Sequence, residues 1–393
     1  MPEAVLIIKA GREKPILQGH PWIYSGAIDR MEGDPGFGET VVIKDATGHI
    51  LGRAAYSPAS KIRARMWSWD AQERIDDSFF EKKLRTAISS RKEMPSNAYR
   101  LVNAESDYLP GLVVDRYADF LVLQSLTAGV ERWKESIADA LVALTGMPNI
   151  YERSDVEVRA LEGMAGTSGV LRGQEPPDTL EIIENGLRFQ VDIRAGQKTG
   201  FYLDQRENRA KILPYVENKK VLNCFCFSGA FSVYAIQGGA SQVTSVDSSG
   251  DAIELAKANS ALNFPDFQDE EWVVADVFVY LRQLRDQQRF FDVIILDPPK
   301  FAPTRNLAVQ AARGYKDINL LAMKLLNPAG TLITFSCSGG VSAEFFQKIL
   351  GGAASDAGRQ VFIQERLFQS NDHTVSLHFP EGEYLKGFVC KVI

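Results

Sequence analysis

Three aspartates and one cysteine in the second half of the chain each follow a short apolar run, and their side chains can bind or react. They are Asp247, Asp276, Asp297 and Cys337, and two prolines stand directly after Asp297. Such apolar runs are typical of strands buried on both faces of a parallel sheet, and proline cannot continue a strand of that kind. Ligands of open α/β sheets bind at the carboxyl ends of the strands. We therefore predict that these four side chains share one crevice.

The aspartates in this order suit a nucleoside without phosphates. The carboxylate of Asp247 can accept from both hydroxyls of a ribose, and that of Asp276 can accept from an adenine amine. Val277 can cover the adenine ring, and Gly229 lets the turn after the first strand approach a ligand closely. No dinucleotide fingerprint or phosphate loop occurs at these positions. The set favours S-adenosylmethionine (SAM) over NAD or ATP, although a single aspartate at a strand end is more often only a helix cap.

Arg206 and Cys337 each allow two interpretations from the residues alone. Arg206 could bind the carboxylate of a methionine moiety through two hydrogen bonds, or it could be a surface charge at a helix start. A lone buried cysteine is usually inert packing, but Cys337 stands between two serines and before two glycines. We interpret the other three cysteines, Cys224, Cys226 and Cys390, as structural.

A thiol at Cys337 would matter for methylation of carbon. C5 of a pyrimidine is a weak nucleophile, and a thiolate that adds at C6 converts the ring into an enamine whose C5 can attack a methyl group. Asp297 could hydrogen-bond the amine or the protonated N3 of a cytosine. The base that later removes the C5 proton is not identified by the sequence.

Three predicted domains position these residues. Short apolar runs separated by Gly, Pro and Asp predict a β-rich domain over residues 1–72. Residues 73–188 predict a small α+β domain, with a helix over 76–93 and a hairpin at Asn185-Gly186. From residue 189 to 393, strands and helices alternate, which predicts a doubly wound parallel sheet.

One strand of the first domain is a candidate RNA-binding surface. The segment 61–67 alternates strictly, so Lys61, Arg63 and Arg65 are expected on one face, near two tryptophans at positions 67 and 69. Such a face can bind phosphates and stack a base. The alternative is an edge strand that carries charges to prevent aggregation.

Composition limits the class of protein. Hydrophobic residues make up 45% of the chain and charged residues 24%, as in ordinary globular proteins. We expect no membrane span, no secretory signal and a cytoplasmic location with reduced thiols, and four cysteines with four histidines make a poor zinc set. The net charge of −6 argues against a protein that coats a polyanion, so any nucleic-acid contact must use local patches.

Six motifs together resemble the bacterial 23S ribosomal RNA large-subunit methyltransferase I family, over nearly the whole chain. They are GQKTGFYLDQRENR (196–209), VLNCFCFSGAF (221–231), DPPKF (297–301), RGYKDIN (313–319), FSCSGG (335–340) and EGEYLKGFVCKV (381–392). The resemblance implies a PUA-like RNA-binding domain, a central α+β domain and a class I SAM-dependent methyltransferase domain that makes 5-methylcytosine. It also implies that Cys337 is the nucleophile and that Asp247, Asp276 and Asp297 line the pocket.

The residues and the resemblance together predict the catalytic, cofactor-binding and RNA-binding residues and the binding partners. The catalytic residues are Cys337 and Asp297, and no metal is expected. The cofactor-binding residues are Phe201, Arg206, Asn223, Phe225, Gly229, Asp247, Asp276, Val277 and Asp297. The RNA-binding residues are Lys61, Arg63, Arg65 and Lys300. The expected partners are SAM, 23S rRNA and, as one alternative, a second copy of the chain.

Two positions of the sequence differ from the usual residues of related enzymes, and two alternative functions remain. Asn223 stands where many class I methyltransferases have an acid, and Pro299-Lys300 stand where many RNA 5-methylcytosine enzymes have a second cysteine. An exocyclic-amine methyltransferase acting on RNA is the first alternative. A non-catalytic SAM-binding factor for ribosome assembly is the second. The target nucleotide and the assembly stage of the substrate are not given by the sequence.

Overall fold

The computed structural model describes residues 3–301 and 308–393, so Met1 and Pro2 of the predicted first domain lie outside the described residues. The chain forms two compact units. The first consists of Met1–Ile183, Val191–Leu203 and Asp372–Gly382, and the second of Glu184–Gln190, Asp204–Asn371 and Glu383–Ile393. The predicted domain boundaries at residues 72 and 188 stay predictions.

The first sheet of the first unit has six strands within the described residues. Its strands in chain order are β1 (Val5–Ile8), β2 (Trp22–Tyr24), β3 (Ile28–Glu32), β4 (Thr40–Lys44), β5 (Ile50–Tyr56) and β6 (Ile62–Ser68), with the short helix α1 (Lys14–Leu17) after β1. Their order across the sheet is β2-β6-β5-β4-β1-β3. Alternate residues of β6, Ala64 and Met66, join a small core on one face. The structure confirms that this region consists mainly of β-strands, as predicted.

The second sheet of the first unit has five strands among the residues described. They are β7 (Ala98–Asn103), β8 (Leu112–Tyr117), β9 (Phe120–Ser125), β10 (Asn149–Ser154) and β11 (Thr167–Arg172), in the order β11-β10-β9-β8-β7. Two helices, α2 (Asp77–Ser89) and α3 (Ala128–Thr145), pack on it. Asp76 caps α2 by accepting from the amide of Phe79, which fixes the start of the predicted helix.

A hairpin follows at the predicted position. Strands β12 (Leu180–Glu184) and β13 (Leu187–Val191) pair across Asn185 and Gly186, whose φ angles are 50° and 83°. Two consecutive residues in the left-handed region are what a two-residue hairpin turn requires, and Asn-Gly adopts them at low cost.

The second unit contains a seven-stranded sheet in the described part of the chain. Its strands are β14 (Lys220–Cys224), β15 (Gln242–Asp247), β16 (Glu270–Val274), β17 (Phe291–Leu296), β18 (Leu326–Ser336), β19 (Val361–Leu367) and β20 (Lys386–Val392). The order is β16-β15-β14-β17-β18-β20-β19, and only β20 runs against its neighbours. The predicted alternation of strands and helices is confirmed.

The second unit has seven helices within the described residues, of which two precede the sheet and five connect its strands. They are α4 (Arg206–Lys211), α5 (Leu213–Val216), α6 (Ala230–Gln237), α7 (Gly250–Asn263), α8 (Val277–Asp286), α9 (Ala308–Leu325) and α10 (Ala343–Ala357). Helices α8, α9 and α10 share one core cluster with the sheet, to which β17 contributes Phe291, Ile294 and Leu296. Within the residues described, no helix is long and apolar enough to cross a membrane.

Candidate active site

The order of the sheet reverses beside β14, which marks the expected position of a ligand. Strand β14 lies between β15 and β17, and Cys224 at its end is in register with both Val246 and Leu296. The next residue of each strand, or of its loop, is therefore Phe225, Asp247 or Asp297. Because ligands of open α/β sheets bind at such a switch point, the register brings the predicted residues to the right edge.

The loop after β14 has an unusual backbone. Phe225, Phe227 and Gly229 have φ angles of 59°, 46° and 71°, in a region that side chains disfavour. The amide of Cys226 donates to the carbonyl of Val246 at 3.0 Å, which ties the loop to the neighbouring strand. A Cβ on Gly229 would lie 2.7 Å from the Cβ of Ala256 on α7, so this glycine is required by helix packing as well as by its φ.

Asp247 organises the same loop. Its Oδ2 accepts from the amide of Phe227 and its Oδ1 from the amide of Ser249, each at 3.0 Å. A carboxylate has about four lone-pair sites, so both oxygens keep capacity for a ligand hydroxyl. The side chain is partly exposed, and its predicted contact with a diol stays a prediction.

Asp276 and Val277 differ in what they offer a ligand. Asp276 is exposed and caps α8, its Oδ1 accepting from the amide of Val279 at 3.0 Å. Val277 is only 3% exposed and packs in the core. Its packing does not support the prediction that this side chain covers an adenine ring, because almost none of its surface is free.

Asn223 lies inside the sheet. Its Nδ2 donates to Ser232 at 2.8 Å, and the Ser232 hydroxyl contacts that of Ser245 at 2.7 Å. These contacts join β14, α6 and β15, and the asparagine is 1% exposed. The structure thus gives it a packing role and does not support the predicted contact with a cofactor.

Asp297 is held by a side chain from the segment before the sheet. The Nε2 of Gln205 donates to Asp297 Oδ2 at 3.0 Å, and Asn208 holds Gln205 by donating to its Oε1 at 2.6 Å. Gln205 and Asn208 are almost fully buried, whereas Asp297 is partly exposed. The motif at residues 196–209, which contains Gln205, therefore orients the carboxylate of Asp297, a predicted catalytic group.

Cys337 lies at the same edge as the Asp-Pro-Pro turn. Its Sγ is 3.9 Å from the carbonyl oxygen of Pro298, and the residue is partly exposed. The other three cysteines are buried, as their structural interpretation requires, and burial raises the pKa of each thiol, to about 12 for Cys390. Cys337 is therefore the one of the four cysteines that is not buried.

Two side chains beside Cys337 are missing from the predicted set. The Tyr315 hydroxyl lies 2.9 Å from Ser338 Oγ, and the Lys386 Nζ donates to the Ser338 carbonyl at 2.9 Å. Burial is the largest cause that raises the pKa of Tyr315, and a negative charge on Cys337 would add to it. Both residues lie in motifs of the family resemblance, which is the signal that could have found them.

Residues 164–375 match the family of S-adenosylmethionine-dependent methyltransferases, and residues 6–69 match the PUA-like domain. The chain is 50% identical over 392 residues to the Ribosomal RNA large subunit methyltransferase I of Enterobacter sp. (strain 638), with 99% of both chains covered. The chain belongs to the ribosomal RNA large-subunit methyltransferase I family. It is a SAM-dependent methyltransferase with an N-terminal PUA-like domain, and the predicted family, fold class and cofactor are confirmed.

Two solved structures resemble this family member over nearly its whole length. One is a protein from Streptococcus mutans provisionally assigned as a SAM-dependent methyltransferase, with 25% identity, a TM-score of 0.85 and coverage of 98% of this chain and 99% of that one. The other, provisionally assigned as a methyltransferase, is complexed with SAH, with 26% identity, a TM-score of 0.86 and the same coverage.

The residues at the switch point fit SAM. The carboxylate of Asp247 and the exposed carboxylate of Asp276 offer acceptors for hydroxyls and an amine. Arg206 is 1% exposed and its Nη2 lies 3.0 Å from Glu207 Oε1, so part of its charge is already paired. Phe201 belongs to the first unit, where it is buried and its amide donates to the Tyr117 hydroxyl at 3.1 Å.

The predicted RNA-binding strand is only partly as expected in this methyltransferase. Lys61 is exposed, and Arg63 is partly exposed and donates to the carbonyl of Pro58. The expectation that Arg65 lies on an exposed face is wrong, because it is 7% exposed and its Nη2 lies 2.9 Å from Glu162. Trp67 is fully buried against Phe80 and cannot stack a base.

Arg65 is buried because other elements of the first unit cover its face of β6. The helix α2 and the turn at Glu157–Glu162 pack over the face of β6 that alternation assigns to Arg65. Strand periodicity separates two faces but does not say that both are buried. Of the other predicted RNA-binding residues, Lys300 is exposed directly after the Asp-Pro-Pro turn.

Proposed function

We propose that this protein methylates C5 of a cytosine in 23S ribosomal RNA, with SAM as the methyl donor and Cys337 as a covalent nucleophile. The observation that carries the proposal is the position of Cys337, a partly exposed thiol 3.9 Å from the carbonyl of Pro298 at the switch-point edge. Methylation of an amine needs only a positioned lone pair, whereas methylation of C5 needs a nucleophile that adds to the ring.

Two side chains, Cys337 and Asp297, take part in the proposed reaction. The Cys337 thiol loses its proton, and its sulfur forms a bond to C6 while an electron pair moves onto the ring. Asp297, oriented by Gln205, accepts a hydrogen bond from the cytosine amine or from a protonated N3 and stabilises the ring in that form. After C5 is methylated, loss of its proton returns an electron pair that breaks the bond between sulfur and C6.

SAM supplies an electrophilic methyl group when it is bound. Asp247 would hold its ribose and Asp276 its adenine, and the loop from Phe225 to Gly229 would lie against it. The hydrogen bond that Asp247 accepts from the amide of Phe227 holds this loop in place, so the same carboxylate would shape the site and contact the ligand. Arg206 is almost fully buried and pairs with Glu207, so nothing in this arrangement supports its predicted contact with the methionine carboxylate.

The RNA substrate is inferred from relatives and from the first domain. The curated relatives are named as methyltransferases of large-subunit ribosomal RNA, and residues 6–69 match a PUA-like domain. Lys61 and Lys300 are exposed, and Arg63 is partly exposed, so all three have surface for phosphates. Arg65 is excluded from this proposal by its pairing with Glu162.

Replacing Cys337 with alanine tests the chemistry. We expect transfer of labelled methyl groups to 23S RNA, or to large subunits from cells lacking the protein, to fall by about a thousandfold or more. SAM binding should be unchanged. The control is Cys390→Ala, which removes a buried thiol of β20 and should keep most of the activity.

A trapping experiment separates the three functions. RNA with 5-fluorocytidine at the target has no C5 proton to lose, so the bond between sulfur and C6 should persist as a protein–RNA adduct in the native chain and be absent from Cys337→Ala. Full activity of Cys337→Ala without an adduct in the native chain would point to an amine methyltransferase. No methyl transfer by the native protein to any ribosomal RNA substrate would point to a non-catalytic factor.

A further inference from the structure

Lys386 is a buried lysine next to the proposed nucleophile. It is the first residue of β20 and stands directly opposite Ser336 in the antiparallel pairing with β18, one residue before Cys337. It is 4% exposed, and its Nζ donates to the carbonyl of Ser338 at 2.9 Å. The ammonium group is thus fixed at the turn that contains Cys337.

No carboxylate pairs with this lysine in the described part of the chain. Its Nζ is held by the carbonyl of Ser338, and the carboxylate whose charge acts on it, that of Glu383, is exposed to solvent. A buried ammonium with no carboxylate in contact is costly, which points to a use for its charge. Burial lowers the pKa of Lys386 to about 8, and a negative charge on Cys337 would oppose that decrease.

We propose that Lys386 is the cation that stabilises the thiolate of Cys337. Its place in catalysis rests on the proposed function, because the thiolate matters only if Cys337 attacks the base. The electrostatic coupling between the two side chains does not rest on it. The amine needs no contact with the substrate, so Lys386 is a positioning residue that acts through the sulfur.

The groups around the pair determine how it responds to pH. Glu383 and Lys300 act on Lys386 with opposite signs, and both are exposed, so solvent screens them. Tyr315 of α9 is neutral near pH 7 because its pKa is raised. Below about pH 8 the lysine keeps its proton and favours the thiolate, and above that value the stabilising charge is lost.

The test measures the thiol directly and needs no RNA. Alkylation of Cys337 by iodoacetamide is followed from pH 6 to pH 10 by mass spectrometry of the full chain, in which the other cysteines are buried. We expect a midpoint below the ordinary thiol value of about 8.5 in the native protein. Lys386→Gln should raise that midpoint by about one unit or more, and Lys386→Arg should largely preserve it.

The control is Lys391→Gln, which removes a lysine from the same strand at a position that is partly exposed. It should leave the midpoint unchanged. A midpoint at or above about 8.5 in the native protein would overturn the proposal even if Lys386→Gln failed to fold. Equal midpoints in native protein and folded Lys386→Gln would also overturn it.

The two proposals fail in different ways. If Cys337→Ala keeps full methyl transfer while the Lys386→Gln midpoint shifts as expected, the coupling stands and the function as nucleophile falls. If Cys337→Ala is inactive and the midpoint does not move, Cys337 remains the proposed nucleophile and Lys386 does not act on it. If both proposals hold, the pH profile of methyl transfer by Lys386→Gln shifts to higher pH together with the midpoint of Cys337 alkylation.

Discussion

Asp247 is the residue on which the cofactor site most depends, since it holds the loop and would also bind the ribose. Replacing it with alanine removes the acceptor for the amides of Phe227 and Ser249 as well as the acceptor for the diol. Hydrogen bonds to a charged group contribute about 1.5–3 kcal/mol, so SAM should bind about 10- to 100-fold more weakly. Calorimetric titration with SAM or SAH measures this change.

A nearby acid provides the control for Asp247. Asp251 is exposed in the first turn of α7, and Asp251→Ala should bind SAM like the native protein. Equal affinity of Asp247→Ala and Asp251→Ala for SAM would show that Asp247 does not contribute to the site.

Single residues at strand ends were the most predictable part of the site. Apolar runs fix where a parallel strand ends, so the edge position of Asp247, Asp297 and Cys337 follows from the sequence alone. Gln205 and Lys386 could not be placed in this way. Gln205 reaches Asp297 from a segment outside the sheet, and Lys386 reaches the edge through an antiparallel register that no local pattern encodes.

At the scale of elements, β6 shows the limit of reading strands from periodicity. The alternation of Arg63, Ala64 and Arg65 predicts the two faces correctly, and Ala64 does enter the core. What covers the opposite face depends on α2 and on the turn that carries Glu162, which come later in the chain. The sequence therefore predicted the strand but not the burial of its basic face.

The buried pair between Arg65 and Glu162 should stabilise the packing of β6. The Arg65 Nη2 lies 2.9 Å from Glu162 Oε1, and both side chains are almost fully buried. Arg65→Met would leave Glu162 as an unpaired buried carboxylate, so we expect the free energy of unfolding to fall by about 3 kcal/mol. Urea unfolding followed by tryptophan fluorescence measures it, because Trp67 is buried beside the strand.

Two variants make this result specific. Arg63→Met alters a partly exposed arginine of the same strand and should cost much less. The double variant Arg65→Met/Glu162→Gln should recover part of the loss, since it removes the unpaired charge. An unchanged urea midpoint for Arg65→Met would mean that the pair does not hold β6 in place.

At the scale of the whole molecule, the charge of −6 must be reconciled with a polyanionic substrate. The first 75 residues carry a net charge of +1, so their repulsion of RNA is far weaker than that of the remaining chain. Counter-ion release then depends on a few exposed cations and not on a general field. Lys61, Arg63 and Lys300 remain as candidates once Arg65 is paired internally.

Neutralising these cations should change the salt dependence of RNA binding and leave SAM binding unchanged. Removing one cation that binds a phosphate should lower the slope of log K against log salt by about 0.7 to 0.9, so Lys61→Gln/Arg63→Gln should reduce it by up to twice that amount. Arg30→Gln is the matched control, because Arg30 is exposed in the same sheet but lies within 3.5 Å of both Asp29 and Glu32. Filter binding to 23S RNA fragments between about 50 and 200 mM salt gives the slope.

A double variant with the native slope would exclude Lys61 and Arg63 from the RNA interface. Lys300 would then be the remaining predicted contact, and Lys300→Gln tests it in the same assay.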